Sequence, residues 1–307
     1  MNGEPVPFTA SWARRNGFSD AGLALIWLLL AFMLFQFTAG IVAIALIMAR
    51  GELASPADMM AAMESNMDLV FIGNSVGQIL FLGTVTLFIT RMHTDSELSI
   101  TRYVRINRPL PMYLVAAVVL FLVVQPLIWF LGYLNGLLPI PDFFTDLQQS
   151  QYEMIERFLS EQDSVLPALF NIAVVPAICE EILFRGYLQR SFERSFKMST
   201  AILVSGVLFG LYHVQLQNLM PLATLGVLLA LLTWMSGSLW PAIVAHFINN
   251  AGAVITLRYF PESMVSEMGT AQAPPIWLLL CSAVLTAGII YLLFTFHHVQ
   301  SSKTTTD

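Results

Sequence analysis

The chain alternates between long apolar runs and shorter polar segments. A helix that crosses a bilayer needs about 20 mostly apolar residues, with a lower limit of about 17. The runs that reach this range are Leu23–Met48, Leu69–Thr90, Met112–Leu134, Leu166–Tyr187, Thr200–Leu216, Leu219–Met235, Leu239–Leu257 and Ile276–Phe296. No run has the period-2 alternation of barrel strands. The pattern predicts an all-α fold, a polytopic membrane helix bundle of about eight transmembrane helices, of which the fifth and sixth are closest to the length limit.

Composition agrees with a membrane protein. Of the 307 residues, 57% are hydrophobic and 11% are charged, whereas a soluble domain has about 25% charged residues. An ordinary soluble globular protein is therefore excluded. The bilayer is the expected partner, and no nucleic-acid partner is expected.

Basic residues predict the orientation, because cytoplasmic segments of membrane proteins are enriched in lysine and arginine. If the N-terminus is cytoplasmic, the outer segments hold only Arg50, Arg157 and Arg258. Both termini are then predicted to be cytoplasmic. The inner segments hold Arg14, Arg15, Arg91, Arg102, Arg105, Arg108, Arg185, Arg190, Arg194, Lys197 and Lys303.

The first apolar run bears on the location of the protein. Leu23–Met48 is longer than the roughly 7–15 apolar residues of a signal peptide, so it is predicted to be retained as a span. No organellar presequence is recognisable. We therefore expect an integral protein of a bacterial plasma membrane.

The second outer loop, residues 142–163, carries an apolar stripe with helical spacing. Phe144, Leu147, Ile155 and Phe158 share one face, which Gln151 interrupts. The loop predicts an amphipathic helix, either at the membrane surface or as a solvent-facing connector.

The fourth run contains two adjacent carboxylates and an arginine. A charge at bilayer depth costs at least a few kcal/mol, so Glu180, Glu181 and Arg185 are candidate functional residues. Residues four apart share a helix face, so Arg185 is expected to pair with Glu181. Glu180 lies about 100° further round the helix and is expected to act on other polar groups.

Two later segments supply such groups. Phe209 and His213 lie four apart near the end of the fifth run, and His246 and Asn250 lie four apart in the seventh, with Asn249 beside them. A glutamate in apolar surroundings can act as general base on water, shared with a histidine. A second histidine and an asparagine can stabilise an oxyanion. This set could hydrolyse a peptide bond, although the same polar pairs could only join helices by hydrogen bonds.

Zinc is the alternative to a metal-free mechanism. Glu180, His213 and His246 are sufficient side chains for a zinc ion, which would lower the pKa of its bound water. Apart from this zinc alternative, no cofactor is expected.

Other protease signatures are absent or out of context. Gly73-Asn-Ser75-Val-Gly77 matches G-x-S-x-G, but it lies in an apolar helical run and not at a strand-to-helix turn. It is better explained as a face of small residues that packs helices together. Cys179 and Cys281 lie in apolar runs and are expected to be reduced packing residues.

Three motifs occur in order on separate predicted helices: Glu180-Glu181-x-x-x-Arg185, Phe209-x-x-x-His213 and His246-x-x-x-Asn250. In this arrangement the chain resembles the CPBP family of intramembrane proteases, which includes the type II CAAX prenyl endopeptidases and bacterial immunity relatives. The resemblance covers about residues 165–257, so residues 1–164 are taken as an N-terminal three-span region and 258–307 as the last span with a polar tail.

The resemblance implies roles for the motif residues. Glu180 would be the water-activating base and His213 its partner, with His246 and Asn250 as oxyanion donors or part of a metal site. Glu181, Arg185, Phe209 and Asn249 would support this site, in a polar cavity inside the bundle.

The function expected from the sequence is an intramembrane endopeptidase that cuts a peptide or a lipidated protein. Two alternatives stay open. One is a non-catalytic binding or immunity protein of the same fold. The other is a proton- or metal-coupled transporter, for which inverted repeats or broken helices would be expected.

Overall fold

The computed structural model describes residues 11–53, 55–94, 98–260 and 272–304, and within these ranges every regular element is helical. The helices are α1 (Trp12–Arg15), α2 (Asp20–Arg50), α3 (Met59–Glu64), α4 (Met67–Thr90), α5 (Ile100–Tyr103), α6 (Pro111–Val123), α7 (Gln125–Gly136), α8 (Asp142–Glu161), α9 (Leu166–Glu193), α10 (Met198–Tyr212), α11 (Leu216–Ser236), α12 (Trp240–Tyr259) and α13 (Ile276–Thr304).

Each of the eight predicted runs falls on a helix or a pair of helices. By length and apolar composition, six helices among the described residues can cross a membrane, and a seventh span arises if α6 and α7 count as one. The exception is α10, which has only 15 residues. The all-α membrane fold is therefore confirmed, whereas the count of eight and the cytoplasmic termini stay predictions.

The third predicted span is broken. Helices α6 and α7 meet at Val124 and are bent by 45° relative to each other. Pro126 is the local cause, because it has no N–H for the helix ladder and its ring displaces the carbonyl one turn earlier. The break therefore follows from a single proline and does not by itself indicate a transporter.

The chain forms two compact units. The first comprises residues 1–106 and 170–205, and the second comprises 107–169 and 206–307. The division of the sequence into regions 1–164, 165–257 and 258–307 is based on where the motifs lie. It stays a prediction. The two units are described in turn.

In the first unit, α4 packs on α2 through two glycines. A methyl group added at Gly73 would lie 2.5 Å from the carbonyl oxygen of Ala39, and one at Gly77 would lie 2.6 Å from that of Phe35. Only glycine permits this approach of the two backbones. The hydroxyl of Ser75, between the glycines, lies 2.5 Å from Asn171 Oδ1 and donates to it. The segment Gly73–Gly77 is thus a packing face, as predicted.

A buried polar cluster joins the ends of three helices in the first unit. His93 Nδ1 donates to Asp20 at 3.0 Å, and His93 Nε2 is hydrogen-bonded to the Tyr187 hydroxyl at 2.9 Å. Arg194 donates to the same Asp20 carboxylate at 3.1 Å. The cluster satisfies groups that would be costly to bury alone, and it fixes the end of α9 that follows the E-E-x-x-x-R motif.

In the second unit, α10 and α11 approach closely through glycines. A methyl group added at Gly206 would lie 2.5 Å from a methyl of Val227, and one at Gly210 would lie 2.8 Å from the nitrogen of Ala223. The predicted amphipathic helix exists as α8. Its residues Phe158 and Leu159 are buried, so this part of the apolar stripe faces protein.

Candidate active site

The E-E-x-x-x-R motif lies on α9 in the first unit. Glu180 is 8% exposed, and Glu181 and Arg185 are fully buried. Burying charges this completely costs several kcal/mol per ion unless partners compensate. The motif residues therefore need charged or polar partners inside the protein.

Helix α9 departs from regular α geometry on both sides of the motif. π-helical segments occupy Leu169–Val174 and Ile182–Leu188, and the carboxylates lie on the short α segment Val175–Glu181 between them. The first π segment ends two residues before Pro176, where the wider turn accommodates a residue without an N–H. Such π segments inside helices occur frequently at functional sites.

Glu181 and Arg185 form an ion pair. The guanidinium Nη1 atom lies 3.2 Å from Glu181 Oε1, and both side chains are inaccessible to solvent. The predicted pairing is therefore present. Because a helix places residues four apart on one face, the sequence alone was sufficient to find it.

The F-x-x-x-H motif lies at the end of α10 in the second unit. His213 Nδ1 lies 2.8 Å from the carbonyl oxygen of Phe209. A carbonyl oxygen can only accept, so Nδ1 carries the proton. In the neutral ring, Nε2 is then the basic nitrogen that can accept a proton.

The ring of Phe209 contacts both histidines of the second unit. Its centroid lies 4.8 Å from that of His213 and 5.6 Å from that of His246, in an edge-to-face arrangement with each. Phe209 and His246 are buried. Phe209 therefore lies between the two imidazoles and contacts both, while its supporting role in a site stays a prediction.

Helix α12 contributes a chain of side-chain amides. Asn249 donates to Asn250 Oδ1 at 3.2 Å, and Gln125 donates to Asn249 Oδ1 at 3.4 Å. Gln125 also donates to the carbonyl of Phe121 at 2.7 Å. Since the oxygen of Asn250 accepts from Asn249, its NH₂ group is the end that can donate to a substrate oxygen.

These side chains surround a small cavity of about 20 Å³. Such a volume corresponds to about one water molecule, which needs at least about 10–15 Å³ and two to four polar partners. His213, His246, Asn249 and Asn250 line it together with apolar side chains that include Phe209. The structure thus brings all five predicted residues of the second unit to one water-sized cavity.

A resident metal gains no support from the arrangement of side chains. Across the described ranges, no group of three or more His, Cys, Asp and Glu residues is placed to hold a metal ion. A zinc ion at this site stays a prediction from the sequence. Cys179 and Cys281 are both free of disulfide bonds, as expected.

The segment that follows His213 is held by α8. Gln215 donates to Gln151 at 2.7 Å, and Gln217 donates to Thr145 at 2.7 Å. Asn218 donates to the Tyr152 hydroxyl at 2.6 Å. These bonds explain why a polar residue interrupts the apolar stripe of α8 at position 151.

Three of these side chains were not identified from the sequence. Gln125 contacts Asn249, and Tyr152 and Asn218 join α8 to the segment after His213. Gln125, Tyr152 and Asn218 belong to none of the three motifs. Gln125 could have been identified because it is a polar residue next to a proline, Pro126, inside an apolar run. Burial raises the pKa of Tyr152, so its phenol is neutral at physiological pH.

The comparisons with known proteins agree with the motifs. Residues 162–252 match a family model described as Type II CAAX prenyl endopeptidase Rce1-like. The match contains all three motifs. No match to the chain was found among curated proteins or among solved structures.

Proposed function

We propose that this membrane protein, whose residues 162–252 match an Rce1-like family model, is an endopeptidase that hydrolyses a peptide bond at or within the bilayer. The observation that carries the proposal is the water-sized cavity lined by two histidines and two asparagines. Peptide hydrolysis needs one bound water and donors for the oxyanion, and this lining has suitable groups for both.

In the proposed reaction Glu180 takes a proton from water as the water oxygen bonds to the carbonyl carbon. His213 accepts a hydrogen bond from the same water through Nε2, because its Nδ1 already donates to Phe209. His246 and Asn250 donate hydrogen bonds to the developing oxyanion. The C–N bond then breaks, and the proton held by Glu180 passes to the leaving amine.

The proposed substrate is a peptide or a lipidated protein, and the prenylated C-terminus named in the description of the family is one case to test. The experiment compares membranes carrying the wild type with membranes carrying Glu180→Gln at equal levels. Mass spectrometry of newly formed peptide termini is the readout. Termini that require Glu180 would support proteolysis and identify the bond that is cut.

The same experiment separates the remaining function classes. If the two membranes give identical termini while both proteins are folded and inserted, the protease proposal fails and a binding role becomes the better explanation. A transporter gains no specific support, since the broken helix pair found among the described residues has a local cause in Pro126.

A combined variant tests whether the two motifs act on one step. If Glu180 and His213 share a water, His213→Asn should cost much less in the Glu180→Gln background than in the wild type, since residues that act as a unit are not additive. Additive losses would contradict the proposal of a shared water.

A further inference from the structure

The second unit contains a larger cavity, of about 450 Å³. Ligand-binding cavities in proteins usually measure about 300–1,000 Å³. Residues of α7, α8, α11, α12 and α13 line it. It is therefore large enough for several amino-acid side chains.

This cavity adjoins the water-sized cavity. Leu222, Leu225 and Asn249 line both. Of these three, only Asn249 is polar, and it donates to Asn250. A ligand in the larger cavity would thus lie against the amide that orients Asn250.

The lining indicates the chemistry of the ligand. It includes Ile128, Trp129 and Leu278, and none of its side chains is charged. A charged ligand group would lose its hydration without gaining a partner, which is costly. A ligand that suits this cavity would therefore be uncharged and mostly apolar.

The polar part of the lining consists mainly of amides. Gln125 and Asn218 line the cavity, and the hydrogen bonds of both use their NH₂ groups. Their amide oxygens thus retain capacity to accept from peptide N–H groups. Such acceptors suit a peptide backbone, whereas a hydrocarbon chain would gain nothing from them.

We propose that this cavity binds an uncharged, apolar segment of the substrate peptide beside the bond that is cut, and that Gly132 sets the size of the side chain accepted. The substrate assignment rests on the proposed protease function, but the binding of such a segment does not. Gly132 lines the cavity, and a methyl group added there would meet only Pro221, at 3.8 Å. A longer side chain at this position would extend into the cavity.

The chain offers a matched control one turn further along α7. Gly136 is exposed, and a methyl group added there would meet no atom within 4 Å. Gly132→Leu fills the cavity, whereas Gly136→Leu makes the same change in the same helix outside it. Gly132→Ala is a smaller step in the same direction, for use if the leucine variant does not fold.

The test uses an uncharged decapeptide of leucine, alanine and glutamine that carries a benzophenone group, added to the full-length protein in detergent. Cross-linked residues are mapped by mass spectrometry, and cleavage of the same peptide is followed separately. We expect cross-links to α7 and α11 residues of the cavity. Gly132→Leu should weaken them about tenfold, the scale by which pocket shape discriminates, and Gly136→Leu should not. A peptide with aspartate in place of leucine should not cross-link.

Binding and cleavage give separable outcomes. Cross-links in the cavity would support the binding site whether or not the wild type cleaves this peptide, whereas identical termini in wild-type and Glu180→Gln membranes would refute the protease function alone. Equal cross-linking by the two leucine variants, or cross-links elsewhere only, would overturn the cavity proposal. A lipid site would also overturn the proposal. It would be indicated if a photoactivatable phospholipid labelled the cavity and Gly132→Leu abolished this labelling without changing labelling by the peptide.

Discussion

His213 Nδ1 lies 2.8 Å from the carbonyl oxygen of Phe209, one turn earlier in α10. This bond fixes which ring nitrogen carries the proton and prevents the imidazole from turning about its bond to the chain. The same phenylalanine contacts His246 through its ring. One residue therefore sets both the tautomer of one histidine and the position of the other.

The first prediction concerns this tautomer. In His213→Asn the side-chain NH₂ can replace Nδ1 as donor to Phe209, but the basic Nε2 atom is lost. We expect cleavage to fall by about 10²–10⁴, the range for loss of a general acid or base, with little change in thermal stability. Initial rates and melting curves of the purified protein measure the two quantities.

His297 provides the control for that variant. Its Nδ1 atom also donates to a carbonyl oxygen, that of Met235 at 3.0 Å. His297→Asn should therefore retain the wild-type rate. If it lost as much activity as His213→Asn, the role assigned to His213 would be wrong.

The second prediction separates the two asparagines of α12. Asn250→Ala removes a proposed oxyanion donor and should lower kcat by about 10²–10³. Asn249→Ala removes the hydrogen bond to Asn250 and the one from Gln125, each worth about 0.5–1.5 kcal/mol, so its loss should be smaller. Steady-state kinetics on one substrate give the order, and the reverse order would refute the assignment of the donor to Asn250.

The third prediction concerns the buried ion pair. Arg185→Met removes the cation of this buried ion pair, which should reduce the free energy of unfolding by about 3–5 kcal/mol. The double variant Glu181→Leu, Arg185→Met removes both charges and should be more stable than Arg185→Met alone. Unfolding by denaturing detergent measures these differences. A double variant less stable than the single one would show that Glu181 has stabilising contacts other than Arg185.

The fourth prediction tests the contact between α2 and α4. Gly77→Leu places a side chain against the backbone of Phe35, and overpacking of this kind costs about 1–3 kcal/mol. Gly40→Leu, on α2, is the control, because a methyl group there meets no atom within 4 Å. Equal stability of the two variants in a melting experiment would argue against the close approach of the helices.

The fifth prediction concerns the hold of α8 on the segment after His213. Gln151→Leu removes the partner of Gln215 and should lower the rate of cleavage severalfold, because the end of α10 becomes less well fixed. Gln149→Leu is the control, since its side chain donates to Glu153 of the same helix. Comparable rates for both variants would mean that α8 does not position His213.

Local rules explain what could be predicted. The eight apolar runs all became helices, because apolar length and period determine helix formation in a membrane protein. The pairing of Glu181 with Arg185 and the packing of Gly73 and Gly77 needed only helix spacing. The motifs identified the residues of the candidate site for the same reason, since each consists of neighbours on one helix.

The sequence by itself determined the helical membrane fold, the residues of the motifs and the family that they resemble. Only the tertiary structure decided the water-sized cavity, the contacts of Gln125 and Tyr152, and the face by which α8 packs. The physical reason is distance along the chain. A helix fixes neighbours three and four residues apart, whereas contacts such as that between residues 125 and 249 depend on how separate helices pack, which no local pattern specifies.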